Sequence, residues 1–313
     1  MAKDKGPRTK DKQLNRREFT RNLALAALAG SALRPAEREA SAPSAARGQV
    51  PFGLSVMLWT VFRGLPFAER LEKVAEAGYT QVELVDEYRQ WSEQDFRHAA
   101  QVRRRLGITF DAAAGVEHSL TNPAERQALL VEVDRMLTVL AKLECPELIL
   151  LSGNTVPGLS REAQRSSCLE GLKRAAELAQ ARGVTLLLEN IDPEENPHYY
   201  LTSAAEGLAI VEAVKHPHLR FLYDLYHEQI SEGNLIEKLD RHIAAVGLVH
   251  VADVPGRHQP GTGEINYPNI FQKLAELGYD RNVAMEFIPG GDPISDLKAA
   301  REMALDAGGR RRG

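Results

Sequence analysis

From Phe52 onward, short apolar runs alternate with longer stretches in which apolar residues recur every three or four positions. The short runs predict strands over 53–58, 80–84, 108–112, 147–151, 184–189, 219–224, 246–251 and 282–287. The longer stretches predict helices between them. One runs over 66–77, with Pro66 early and Gly78 just past its end. Another runs over 161–182 and is closed by Gly183. A third, over 123–143, has Asn122 as cap and Pro123 at its first position. The joints Ala77-Gly78-Tyr79, Arg182-Gly183-Val184 and Leu277-Gly278-Tyr279 each place Gly where a helix must turn left-handed before a strand. Strands alternating with helices imply a parallel sheet. Eight such units, in a body of about the usual size for that fold, predict an α/β protein closed into a (β/α)8 TIM barrel. An open, doubly wound sheet is the alternative. No dinucleotide glycine fingerprint follows the first strand; Leu58-Trp59-Thr60-Val61-Phe62 stands there instead, which weakens a nicotinamide reading. Trp59 and Phe62 either wall a pocket or pack in the core.

The chain has 313 residues, 43% of them hydrophobic and 26% charged, which suits a folded soluble body and excludes wholesale disorder. Cys145 and Cys168 are too few for a disulfide framework or a Cys-rich zinc site, and are read as buried thiols. The net charge of -4 hides an asymmetry: residues 1–49 carry +6 and the remainder -10. A body that acidic repels phosphate backbones, so no nucleic-acid partner is expected. The basic segment contains Asn15-Arg16-Arg17-Glu18-Phe19-Thr20 and then the weakly apolar run Leu23-Ala24-Leu25-Ala26-Ala27-Leu28-Ala29-Gly30. That run falls short of the ~20 apolar residues a stable span needs, so no membrane anchor is expected. The order of features reads as a twin-arginine export signal within a leader over 1–46, with the peptidase cutting after Ala40-Ser41-Ala42 or, better, Ser44-Ala45-Ala46. The barrel is then expected over 50–308, in the periplasm.

In such a barrel the chemistry lies where strands end. Strands five to eight end on Glu189, Asp224, His250 and Glu286, each after an apolar run. Burying such groups costs several kcal/mol each unless something compensates them. Singly, each could be a polar strand end facing solvent. On four neighbouring strands they can converge on one divalent cation. Three carboxylates and one imidazole suit Mn2+ or Mg2+, with Co2+ also admissible; zinc would more often bring further His or Cys. The run Pro260-Gly261-Thr262-Gly263-Glu264 is either an anion cradle of backbone amides or a plain tight turn.

The spacing Glu189, Asp224, His250, Glu286 resembles that of the xylose-isomerase-like barrels. Two stretches narrow the resemblance to hydroxypyruvate isomerases. They are Tyr223-Asp224-Leu225-Tyr226-His227-Glu228-Gln229, with Glu232-Gly233-Asn234 after it, and Ala252-Asp253-Val254-Pro255-Gly256-Arg257-His258-Gln259-Pro260-Gly261-Thr262-Gly263-Glu264-Ile265-Asn266-Tyr267. The resemblance covers the body, 52–305. One position departs: hydroxypyruvate isomerases often place Gln where this chain has His250, and epimerases place His.

The resemblance implies a metal-dependent isomerase that interconverts hydroxypyruvate and 2-hydroxy-3-oxopropanoate (tartronate semialdehyde) by enediolate proton transfer. Glu189 and Glu286 would carry the proton as well as bind the metal, and Asp224 and His250 would be ligands only. Arg257 would pair with the substrate carboxylate and His227 would bond a substrate oxygen. Glu83, ending strand two, would face the same rim and orient His227 or the substrate. His118, in the loop after strand three, is a weaker rim candidate. Alternatives are a ketose 3-epimerase or inosose-type enzyme, a non-catalytic exported barrel binding a sugar or acid, and, least favoured, a metal-dependent endonuclease. The partner is a small hydroxy-carbonyl acid or sugar, and homo-oligomers remain open.

Overall fold

The computed structural model describes residues 50–309. The leader and cleavage sites read over residues 1–46 lie outside them. Eight parallel strands close into one barrel in chain order. They are β1 (Gly53–Met57), β2 (Gln81–Leu84), β3 (Thr109–Ala114), β4 (Glu147–Leu151), β5 (Thr185–Glu189), β6 (Leu219–Asp224), β7 (Val246–Val251) and β8 (Asn282–Met285). Pairing of β1 with β8, through Gly53↔Asn282 to Val56↔Met285, completes the ring and rules out the open sheet.

The outer layer holds α1 (Phe67–Glu76), α2 (Glu93–Leu106), α3 (Arg126–Leu143), α4 (Arg161–Ala181), α5 (Ala204–Val214), α6 (Leu225–Ser231), α7 (Leu235–His242), α8 (Tyr267–Glu276) and α9 (Pro293–Gly308). No helix among the described residues is long and apolar enough to cross a membrane. Ser92, Ser160 and Ser203 cap α2, α4 and α5 through their side chains. The glycines at the three helix–strand joints have φ of +89°, +68° and +65°, the left-handed turn their position demands.

One boundary differs from expectation. The third helix begins at Arg126, not at Pro123. The Asn122 side chain accepts from the Ala124 amide, and Glu125 N–H returns to the Asn122 carbonyl, so this stretch closes as a separate turn before the helix starts.

Most of the apolar core lies between strands and helices. A second, smaller cluster fills the barrel interior: Met57, Ala112, Ala114, Ile149, Leu187, Leu222, Leu248 and Ala284. Side chains alternate faces along a strand. Leu187, Leu222, Leu248 and Ala284 point inward, so the residues two further on, Glu189, Asp224, His250 and Glu286, point inward at the carboxyl-terminal rim. Cys145 and Cys168 are free and buried.

Candidate active site

Glu189, Asp224, His250 and Glu286 are all buried, and one potential ligand atom from each lies within 4.8 Å of the others. Register explains the convergence: Asp224 pairs with His250, and His250 with Ala284, one pleat below Glu286. His250 Nδ1 lies 2.8 Å from Glu286 Oε2, 3.6 Å from Glu189 Oε1 and 3.9 Å from Asp224 Oδ2. Asp224 divides its carboxylate. Oδ1 accepts the amides of Tyr226 and His227 at 2.7 and 3.1 Å and so caps α6, while Oδ2 faces the cluster. The cap also sets His227 above the site. Its Nδ1 is 2.6 Å from Asp192 Oδ2 and its Nε2 is 3.5 Å from Asp224 Oδ2.

Arg257, 4% exposed, enters from the loop after β7. Its Nη2 lies 2.9 Å from Glu286 Oε2 and 3.8 Å from Asp224 Oδ2, while Nη1 donates to both oxygens of Glu195 at 2.8 and 3.0 Å. Trp59 donates its indole N–H to Glu286 Oε1 at 2.9 Å, and the Trp59 and Tyr226 rings lie against the guanidinium.

These neighbours shift the titration of the buried groups. Burial would raise Glu286, but Arg257 and His250 hold it well below the usual carboxylate range. Burial pushes Asp224 up to about 6, with His227 opposing. Burial would lower His227, yet Asp224 and Asp192 lift it to about 9. Burial would also lower His250, and Glu83 and Glu286 carry it well above the ordinary histidine range.

The donor set fits a divalent ion. Its oxygens, and the imidazole nitrogen once a cation has displaced its proton, are of the types that bind hard and borderline cations. The excess of buried carboxylate over buried cation is the charge pattern such an ion relieves.

Two of the expected rim residues sit elsewhere. Glu83 is fully buried, with Oε2 2.9 Å from His250 Nε2, so its carboxylate partners His250 in place of His227. The inward alternation of β2 carries it under the imidazole. His118 turns its ring to Glu132 of α3 at 2.8 Å, and the same carboxylate accepts the amides of Glu117 and His118, so the ring is tied to the outer layer. The amides of Gly261 and Gly263 do cradle an anion, but it is the chain's own Asp253. Sequence reasoning passes over Asp192 and Glu195, and does not reveal Trp59 as a donor. The turn-forming Asp192-Pro193 three residues past Glu189 is the available signal for the first. Nothing local points to Glu195.

Comparison with known proteins agrees with this geometry. Residues 71–305 match the family described as xylose isomerase-like TIM barrel. A 2-oxo-tetronate isomerase of Cupriavidus necator is 33% identical over 234 residues, covering 71% of this chain and 87% of that protein. The hydroxypyruvate isomerase of Escherichia coli K12 is 28% identical over 241 residues, 75% of this chain and 93% of its own. Among solved structures, a Brucella melitensis protein called AP endonuclease, family 2, superposes with a TM-score of 0.72 at 29% identity, covering 80% of this chain and 97% of its own. The chain belongs to the xylose isomerase-like TIM barrel family and, by its kinship with these relatives, is an isomerase.

Proposed function

We propose that this protein is a divalent-metal-dependent isomerase of short 2-oxo acids, interconverting hydroxypyruvate and 2-hydroxy-3-oxopropanoate. The observation that carries the reading is Arg257: a buried guanidinium held 2.9 Å from Glu286, beside the carboxylates that would move the proton. A substrate whose carboxylate adjoins its reacting carbon needs a fixed cation there, and a neutral sugar does not. The names of the relatives support it, since hydroxypyruvate and 2-oxo-tetronate both carry a carboxylate next to a keto group.

Glu189, Asp224, His250 and Glu286 would hold the ion. When bound, it supplies positive charge that acidifies the C–H beside the carbonyl and stabilises negative charge on the oxygens. The rest falls to the chain. A proton leaves C3 of hydroxypyruvate and one is delivered to C2, while the hydroxyl proton at C3 passes to the oxygen on C2. One of Glu189 and Glu286, ionised, would take the proton from C3 and return that same proton to C2, so the carboxylate ends as it began. Glu286 is held ionised by its neighbours, the form that accepts a proton. His227, lifted to about 9 by Asp224 and Asp192, would donate to a substrate oxygen. The Trp59 and Tyr226 rings flank the guanidinium, their centroids 5.6 and 5.1 Å from its carbon.

A second reading, ketose 3-epimerisation, is favoured by one residue, His250, where the isomerases it resembles often place Gln. The test is turnover of hydroxypyruvate and of a neutral ketose by protein stripped with EDTA and reloaded with Mn2+, Mg2+ or Co2+, as wild type and as Arg257→Ala. We expect loss on stripping, recovery on reloading, and a selective loss of hydroxypyruvate turnover in the variant. Unchanged hydroxypyruvate turnover by Arg257→Ala would overturn the carboxylate reading.

A further inference from the structure

Asp253 follows β7 and is fully buried. Its carboxylate gathers four backbone amides of one loop. Oδ1 accepts from Val254 and Ile265 at 3.0 Å each, and Oδ2 accepts from Gly261 and Gly263 at 2.9 Å each. Its own N–H donates to the carbonyl of His258 at 2.8 Å, and Glu264 N–H donates to that of Val254 at 2.8 Å. The fit is close. A Cβ at Gly263 would stand 2.0 Å from the Val254 oxygen and 2.6 Å from Asp253 Oδ1.

Arg257 lies inside this loop with φ +56°, a left-handed backbone uncommon for any residue but Gly. Its carbonyl accepts the Ile288 amide at 2.7 Å, and its side chain runs back to Glu286 and Glu195. Asp253 itself makes none of these contacts. It shapes the loop that makes them.

We propose that Asp253 is a positioning residue for substrate binding: by collecting the loop amides it fixes Arg257 in the backbone conformation that aims the guanidinium into the site. The proposal rests on the reading that Arg257 takes the substrate carboxylate. It also gives the long Asp253–Ile265 stretch a physical task, because the glycines are needed where amides approach one carboxylate.

The experiment uses the full, Mn2+-loaded protein and the variants Asp253→Asn, Gly263→Ala, Arg257→Ala and Asp253→Asn with Arg257→Ala. Asn keeps the shape but turns an NH2 group toward amide donors, and Gly263→Ala disturbs the same loop without removing the carboxylate. We expect the KM for hydroxypyruvate to rise about tenfold or more in Asp253→Asn, with kcat within about threefold of wild type. Gly263→Ala should move KM in the same direction. The double variant should match Arg257→Ala alone, since an acid that acts only through Arg257 has nothing left to position. A substrate-free readout runs beside this: hydrogen exchange of the Ile288 amide by NMR, faster in Asp253→Asn, with the Leu187 amide in β5 as the unchanged control. An additive double variant overturns the proposal, as does an unchanged KM with unchanged Ile288 exchange. If Arg257→Ala alone leaves hydroxypyruvate turnover intact, the functional reading fails, and the Ile288 exchange decides by itself whether Asp253 holds Arg257.

Discussion

Glu83 Oε2 lies 2.9 Å from Nε2 of His250, on the opposite side of the ring from Glu286, so the imidazole is held by one carboxylate and presents Nδ1 to the others. The remaining oxygen of Glu83 is buried without a hydrogen-bond partner, so nothing among the described residues competes with the imidazole for this carboxylate. A carboxylate behind a ligating imidazole fixes its orientation and raises its basicity. Glu83→Leu should therefore weaken Mn2+ binding by about 10–100-fold, measured by calorimetric titration. Glu83→Gln, which keeps an acceptor for Nε2–H, should lose less. Equal Mn2+ affinity in wild type and Glu83→Leu would show that His250 needs no such support.

Gly207 on α5 faces Phe221 of β6, and a Cβ there would stand 2.3 Å from the ring. Overpacking of this kind costs about 1–3 kcal/mol, against about 1 kcal/mol gained when Ala replaces Gly in a helix. Gly207→Ala should lower the Tm on balance, and adding Phe221→Leu should recover part of the loss. A Tm that rises in the single variant contradicts the close approach.

Glu147 at the start of β4 is pushed up to about 8, chiefly by burial and then by the charge of Glu83, with Arg281 and Arg220 opposing. The folded form therefore keeps a proton that the unfolded chain releases near the ordinary glutamate value. Between those two values the folded state binds more protons, so stability declines as pH rises toward 8 and changes no further above it. The slope is bounded by about 1.4 kcal/mol per pH unit for one such group. Asp111, raised well above its usual range by burial and then by Glu83, adds to the same trend. Melting curves from pH 5 to 9 should show a shallower fall in Glu147→Gln than in wild type; parallel curves would dismiss the assignment.

Export is proposed from Arg16 and Arg17 and the apolar run after them. Replacing both with Lys should leave the precursor in the cytoplasm, and fractionation with an antibody to the barrel would show it. Unaltered periplasmic recovery would rule out the twin-arginine route.

The eight strands are legible to within two residues because each is an apolar run bounded by turn residues, and burial on both faces demands such runs. The rim residues are legible for a related reason. A carboxylate or imidazole ending an apolar run stands out against its neighbours, and the two-residue period of a strand puts it on the same face as the inward apolar residue before it. Arg126 as the true start of α3 is less legible, because Asn122-Pro123 suits a turn as well as a cap.

The sequence by itself determined the alternating strand–helix order, the left-handed glycine joints and the four inward groups at the ends of β5 to β8, since each is written in local spacing. Only the tertiary structure decided that Glu83 serves His250, 167 residues away in the chain, that Arg257 bridges Glu195 and Glu286, and that the loop amides turn to Asp253. Those partnerships arise where ring closure and loop packing bring distant carboxylates, cations and amides into one buried volume. There each charge or donor must find a partner, and which partner depends on three-dimensional reach that chain order does not record.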